Sequence, residues 1–123
     1  MDIIGKWKIA EANVFDKNFK QTWKTAEEIQ SDPGVNPMQK AMSRGVYAFE
    51  EDGTLLSLFP KDMNDGSMEA YDDEFIIGNK SKWKEEDGKL FTATEENGEL
   101  EWNEAVPTDN GFELLRFHRI VKF

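Results

Sequence analysis

Residues 80–106 read KSKWKEEDGKLFTATEENGELEWNEAV. Two dipeptides, Asp87-Gly88 and Asn97-Gly98, divide this stretch into three short runs. Asp-Gly and Asn-Gly accept the positive φ angles that a two-residue hairpin turn needs. Within the runs the side chains alternate. Ser81 and Trp83 oppose Lys80, Lys82 and Lys84, while Leu100, Trp102 and Val106 oppose Glu99, Glu101 and Asn103. A period of two marks half-buried strands, and successive tight turns make them an antiparallel meander.

The same grammar extends outward. Asp52-Gly53, Asp65-Gly66, Gly78-Asn79 and Asn110-Gly111 add further turn signals, roughly ten residues apart, the length of one strand and one turn. Eight strands are expected, near 4–13, 45–51, 54–60, 67–77, 80–86, 89–95, 99–106 and 112–122. Tyr71-Asp72-Asp73-Glu74 interrupts the alternation of the fourth. No later segment is long enough for a crossover helix. The fold predicted is all-β: one domain, an eight-stranded antiparallel up-and-down barrel. The 46–59 hairpin is apolar on both faces, so another element should cover one of them.

Segment 16–44 alone carries helical grammar. Phe19, Trp23, Ala26 and Ile29 fall near helical spacing. Thr25 and Glu28 fit a capping box, and Asn36-Pro37 with Gln39 fits a capped helix start. Gly45 suits the stop. Two short helices between strands one and two are predicted as the covering element and as a lid, with Met38 and Met42 on the inner face of the second.

The chain has 123 residues, four Trp, nine Phe and no Cys. That length supports one core. Without cysteine there is no disulfide, no thiolate metal site and no Cys nucleophile. The start, Met1-Asp2-Ile3-Ile4, lacks the apolar run of a signal peptide, which favours a cytoplasmic setting. No stretch approaches the roughly 20 apolar residues of a membrane span. The net charge is −10, which disfavours nucleic acid as a partner. Segment 85–104 holds eight acidic residues against Lys89. It reads as a solvated exterior or as a docking face for a basic protein.

Chemistry-bearing motifs are sparse. His118 is the single histidine, so no His cluster supports zinc. The aspartates lack EF-hand spacing, and every Gly belongs to a turn or a cap. Neither metal nor cofactor is expected, and no catalytic set is assigned. Arg116 shares a parity with Phe112, Leu114 and Ile120. A guanidinium there needs a partner, because an isolated buried charge is costly. A ligand carboxylate, Trp7 or Glu104 are the options.

Gly5-Lys6-Trp7 at the start of strand one, the meander and a late Arg on the last strand resemble the calycin superfamily, in particular bacterial lipocalin-like proteins, relatives of lipocalins and fatty-acid-binding proteins. The resemblance spans the chain in architecture. It implies that Gly5 and Trp7 build the closed end, with Arg116 or Arg119 lying across Trp7. Where fatty-acid-binding proteins carry Arg-x-Tyr, this chain has Arg116-Phe117-His118. The expected function is binding of a small hydrophobic or amphipathic ligand, lipid-like or fatty-acid-like, by a monomer or weak homodimer. Arg116, His118 and Tyr47 would meet a polar head. Phe49, Leu56, Leu58, Trp83 and Trp102 would line the interior with Leu100, Phe112 and Leu114. A filled barrel acting as an acidic interaction module, or an enzyme on the same barrel, are the alternatives.

Overall fold

A computed structural model describes residues 3–15, 18–63, 66–115 and 117–122, without the side chains of Met38 and Glu96. Ten strands and two short helices are present among them. In chain order they are β1 (Gly5–Phe15), β2 (Gln21–Thr25), α1 (Ala26–Ser31), α2 (Pro37–Ser43), β3 (Val46–Phe49), β4 (Thr54–Pro60), β5 (Phe75–Glu86), β6 (Lys89–Glu96), β7 (Glu99–Glu104), β8 (Val106–Pro107), β9 (Gly111–Leu114) and β10 (His118–Lys122). A 3-10 turn, Lys61–Met63, follows β4.

Pairing runs β7-β6-β5-β4-β3-β1-β10-β9-β8, all antiparallel. β7 and β8 are one extended segment, broken only at Ala105, whose N–H donates to the Leu90 carbonyl at 2.8 Å. Its first part pairs with β6 and its last part with β9, so the chain comes round into a nearly closed barrel. Counting β7 and β8 together, the described ring has the eight members expected.

The boundaries differ from the expectation in three places. Segment 67–77 is not a strand. Its last residues join β5, which runs through Gly78-Asn79 without turning. Phe59 explains this: a Cβ at Gly78 would lie 2.1 Å from that ring, so glycine here admits a neighbour's aromatic face. The opposing strand takes a register shift between Ser57 and Leu58. Segment 112–122 is a hairpin rather than one strand, with Ile120 opposite Phe112 and His118 opposite Leu114. Leu115 takes φ 54° at its turn. Finally, 21–25 is a strand: Trp23 pairs with Asn13 on β1 rather than lying on a helix.

The helices begin where their caps predict. The Glu28 N–H donates to Thr25 Oγ1 at 3.1 Å, and the Thr25 N–H to Glu28 Oε1 at 3.0 Å. The Gln39 N–H donates to Asn36 Oδ1 at 2.8 Å. These bonds satisfy N–H groups that have no partner within the helix. α1 and the following turn bury Ile29 and Val35 against Ala12 and Val14 of β1.

The helices are not what covers the outer hairpin face, however. Val46, Ala48, Leu56 and Leu58 form a core there, packed by Phe75 and Ile77 at the start of β5 and by Tyr71 from the segment leading into it. The start of β5, together with Tyr71 of the interrupted stretch before it, is therefore the cover. It is pinned by the Tyr71 N–H donating to the Phe75 carbonyl at 2.9 Å.

The closed end fills with Ile3, Trp7, Phe49, Leu90, Phe112 and Ile120, all buried. Trp7 donates from Nε1 to the Ile3 carbonyl at 2.9 Å and meets Phe49 and Phe112 at tilted ring angles. Each such side chain contributes roughly 1.5–3 kcal/mol by burial. Gly5 holds φ 130°, a conformation open to glycine, at the entry to β1.

Candidate ligand cavity

Toward the other end the barrel stays open. A cavity of about 860 Å³ lies between β3, β4, β5, β6 and the β9–β10 turn. Its inner wall follows from strand alternation. Tyr47 faces Ser57 across β3 and β4, Ser57 faces Asn79, and Leu55 faces Ser81. On the far side Trp83 faces Thr92. Apolar surface comes from Leu55, Trp83, Leu114, Leu115 and Phe117. Thus the wall mixes aromatic and aliphatic groups with hydroxyls and one amide.

The ladder between β5 and β6 explains why the cavity reaches the surface. It pairs only from Trp83↔Thr92 to Glu86↔Lys89. Earlier in β5, residues Thr54 to Pro60 of β4 supply the partners. Trp83 gives its N–H to the Gly53 carbonyl at 3.0 Å and its Nε1 to the Glu50 carbonyl at 2.9 Å. Beyond that point β6 and β7 continue as a hairpin without a ladder to β5. Lys80, Lys82, Glu95 and Ala93 border the resulting slot, together with Leu100 and Trp102. Asp52 closes one corner.

Tyr47 is the polar centre of the site. Its hydroxyl lies 2.8 Å from His118 Nδ1. His118 is 4 % exposed and packs against Phe117, ring centroids 4.4 Å apart. Burial disfavours the imidazolium and pushes the His118 pKa down to about 4. The same cause pushes the Tyr47 hydroxyl up to about 12. Both groups are therefore neutral near pH 7. With its proton on Nε2, the imidazole accepts from the Tyr47 hydroxyl; with the proton on Nδ1, it donates to the Tyr47 oxygen.

The predicted site residues separate into groups. Tyr47, Trp83 and Trp102 reach the cavity, with Leu100 and Leu114. Trp102 does so from the outer parity of β7, 37 % exposed, with Lys84 Nζ 4.5 Å from its ring centroid. Phe49 lies below the cavity, edge-on to Trp83 at 5.6 Å, and Phe112 packs with it in the closed end. Leu56 and Leu58 are corrections. Their parity puts them in the outer core, not the interior. His118 and Met42 line a separate small space of about 10 Å³ with Gln39, Ala12 and Phe117. Arg116 lies outside the described residues, as does the side chain of Met38.

Among the described residues, Lys122 is the cation that approaches Trp7, with Nζ 6.0 Å from the ring. Arg119 instead stacks on Trp23 at 3.9 Å and bonds Glu113 and Glu11 at 3.2 and 3.4 Å. It thereby ties β2 to β10. Ser57, Ser81, Thr92 and Asn79 were missed as lining residues. For Ser57, Ser81 and Thr92 the signal was parity: each lies two residues from an inward apolar neighbour on its own strand or directly opposite one, while Asn79 faces inward opposite Ser57 only because of the register shift beside it.

Among the described residues, no group of three or more His, Cys, Asp or Glu could hold a metal ion. No helix among them is long and apolar enough to cross a membrane. No family model, curated protein or solved structure matches the chain.

Proposed function

We propose that the barrel binds a small amphipathic molecule in the cavity above Trp83, without chemical transformation. The observation that carries this reading is the cavity of about 860 Å³, bounded by Leu55, Trp83 and Leu114 on one hand and by Tyr47, Ser57 and Ser81 on the other. That size lies in the range of small-molecule sites. Apolar area removed from water contributes about 25 cal/mol per Å², before the costs of association. The hydroxyls orient the polar part.

The arrangement around Tyr47 supports binding over catalysis. Its hydroxyl oxygen is held in place by a buried neutral imidazole. A resemblance to calycin barrels agrees with this reading. Thermal shift and native mass spectrometry against a panel of amphiphiles test it. A saturable one-to-one complex with raised Tm is expected. If no panel member binds and the protein keeps its Tm throughout, the barrel is not a binding protein of this kind.

A further inference from the structure

The lining of the cavity bears on what class of ligand it takes. The polar groups of its inner wall carry no formal charge among the described residues: Tyr47, Ser57, Asn79, Ser81 and Thr92. The charged residues that touch the cavity are Asp52, Lys80, Lys82 and Glu95, all exposed. They number two acids and two bases, so the rim has no net sign. Lys80 is already engaged with Glu69 at 3.4 Å. Lys80 and Lys82 are the described cations at the cavity, and both alternate with Ser81 and Trp83 along β5 and so stand on its exposed face. A ligand carboxylate drawn in beside Tyr47 would leave water without meeting them, and an unpaired buried charge is costly. The whole chain adds to this, because a net charge of −10 repels anions at long range.

We infer that the ligand is an uncharged amphiphile with hydroxyl groups, its polar end read by Tyr47 and its apolar part lying toward Trp83 and Leu114. This deepens the binding reading and rests on it. A phenol hydroxyl donates one hydrogen bond and accepts another. One of these is used with His118 Nδ1. The other is what Tyr47 offers a ligand. A hydroxyl, being donor and acceptor at once, fits either tautomer of His118. A carboxylate fits only when Tyr47 donates to it. Ser57, Ser81, Thr92 and Asn79 extend the same two-way hydrogen bonding along the wall.

The test uses matched pairs of probes on the full chain. N-phenyl-1-naphthylamine is compared with its 8-sulfonate, and monodecanoylglycerol with decanoate, by fluorescence titration and displacement. The neutral member of each pair is expected to bind at least ten-fold tighter. Tyr47→Phe should weaken monodecanoylglycerol about five-fold while leaving the naphthylamine, which has no hydroxyl, within two-fold. The naphthylamine result also shows that the variant is folded. Tighter binding of sulfonate and decanoate overturns this inference but leaves the binding reading standing. So does an equal loss of both neutral probes in Tyr47→Phe. Failure of all four probes overturns the binding reading itself.

Discussion

The Tyr47 hydroxyl and His118 Nδ1, 2.8 Å apart, join the large cavity to a small space of about 10 Å³ beside α2. Tyr47 lines the large cavity and His118 the small one behind it. Their bond crosses from β3 to β10 at the end of the barrel that stays open, where aromatic packing gives way to hydroxyls. Both groups are shifted by burial toward their neutral forms. Acid should therefore act on this bond through His118, since Tyr47 stays neutral throughout the acid range.

His118 drops from an ordinary 6.5 to about 4 on folding. Between these values the unfolded chain binds a proton that the native chain does not, so stability rises with pH through this window. The full contribution is present above pH 6.5 and is lost as pH falls toward 4, by about 3 kcal/mol. Asp32, Asp52 and Asp72, whose hydrogen bonds hold them below the usual carboxylate range, act at lower pH. Urea unfolding from pH 4 to 7 should show a steeper slope in the wild type than in His118→Gln. Parallel curves would count against a buried neutral imidazole.

Leu58 and Leu114 are both buried but serve different cores. Leu58→Ala should cost about 2–5 kcal/mol and leave probe affinity unchanged, because it empties the outer core under Tyr71, Phe75 and Ile77. Leu114→Ala should destabilise similarly and also enlarge the cavity. Longer probes should then gain affinity. Chemical denaturation with ligand titration separates the two effects.

Two glycines differ in what a methyl group would meet. At Gly78 it meets the Phe59 ring, which can turn aside; at Gly111 it meets the Ile120 carbonyl oxygen at 1.9 Å, fixed in the β9–β10 ladder. Gly111→Ala is expected near the top of the overpacking range, about 3 kcal/mol, and Gly78→Ala near its lower end, about 1 kcal/mol. A reversed order in denaturant midpoints would contradict the register described for β9 and β10.

Arg119 of β10 holds β2 through Trp23 and is itself oriented by Glu11 of β1 and Glu113 of β9. Its side chain is about one-third exposed, so the loss in Arg119→Met should be modest, about 1 kcal/mol. It should be local. Hydrogen exchange is expected to rise in β2 and α1 while β5 and β6 keep their protection. A uniform rise would mean that Arg119 holds the whole barrel rather than β2 and α1, which contribute no described residue to the wall of the large cavity and so do not act as its lid.

Much of the ring was legible in the chain. Asp87-Gly88 and Asn97-Gly98 take φ of 53° and 77°, and of 53° and 82°, as their hairpins require. Both helix caps form as read. What misled was local chemistry overruled by packing. Gly78-Asn79 looks like a turn but passes straight through β5, because its glycine serves Phe59. The real hairpin at 115–117 contains no Gly or Asn, so nothing in Leu115-Arg116-Phe117 announces it. These two departures offset each other in the strand count. Side-chain direction was harder still. Leu56 and Leu58 look like interior residues until Tyr71 and the start of β5 are seen to cover them. Trp102 shares its face with Leu100 and Val106 as expected, yet that face is the outer one, because Ala105 and Leu90 turn inward beside it.

Cavity occupancy is the central claim, and a filled cavity tests it most directly. Ser57 and Ser81 line the inner wall, and Ser57→Phe with Ser81→Phe would place two rings in the space a ligand needs. Titration of N-phenyl-1-naphthylamine into the wild type should saturate at one site per chain, and the double variant, folded by far-ultraviolet circular dichroism, should lose at least ten-fold in affinity. Unchanged affinity in the filled variant would place the probe elsewhere and contradict the account.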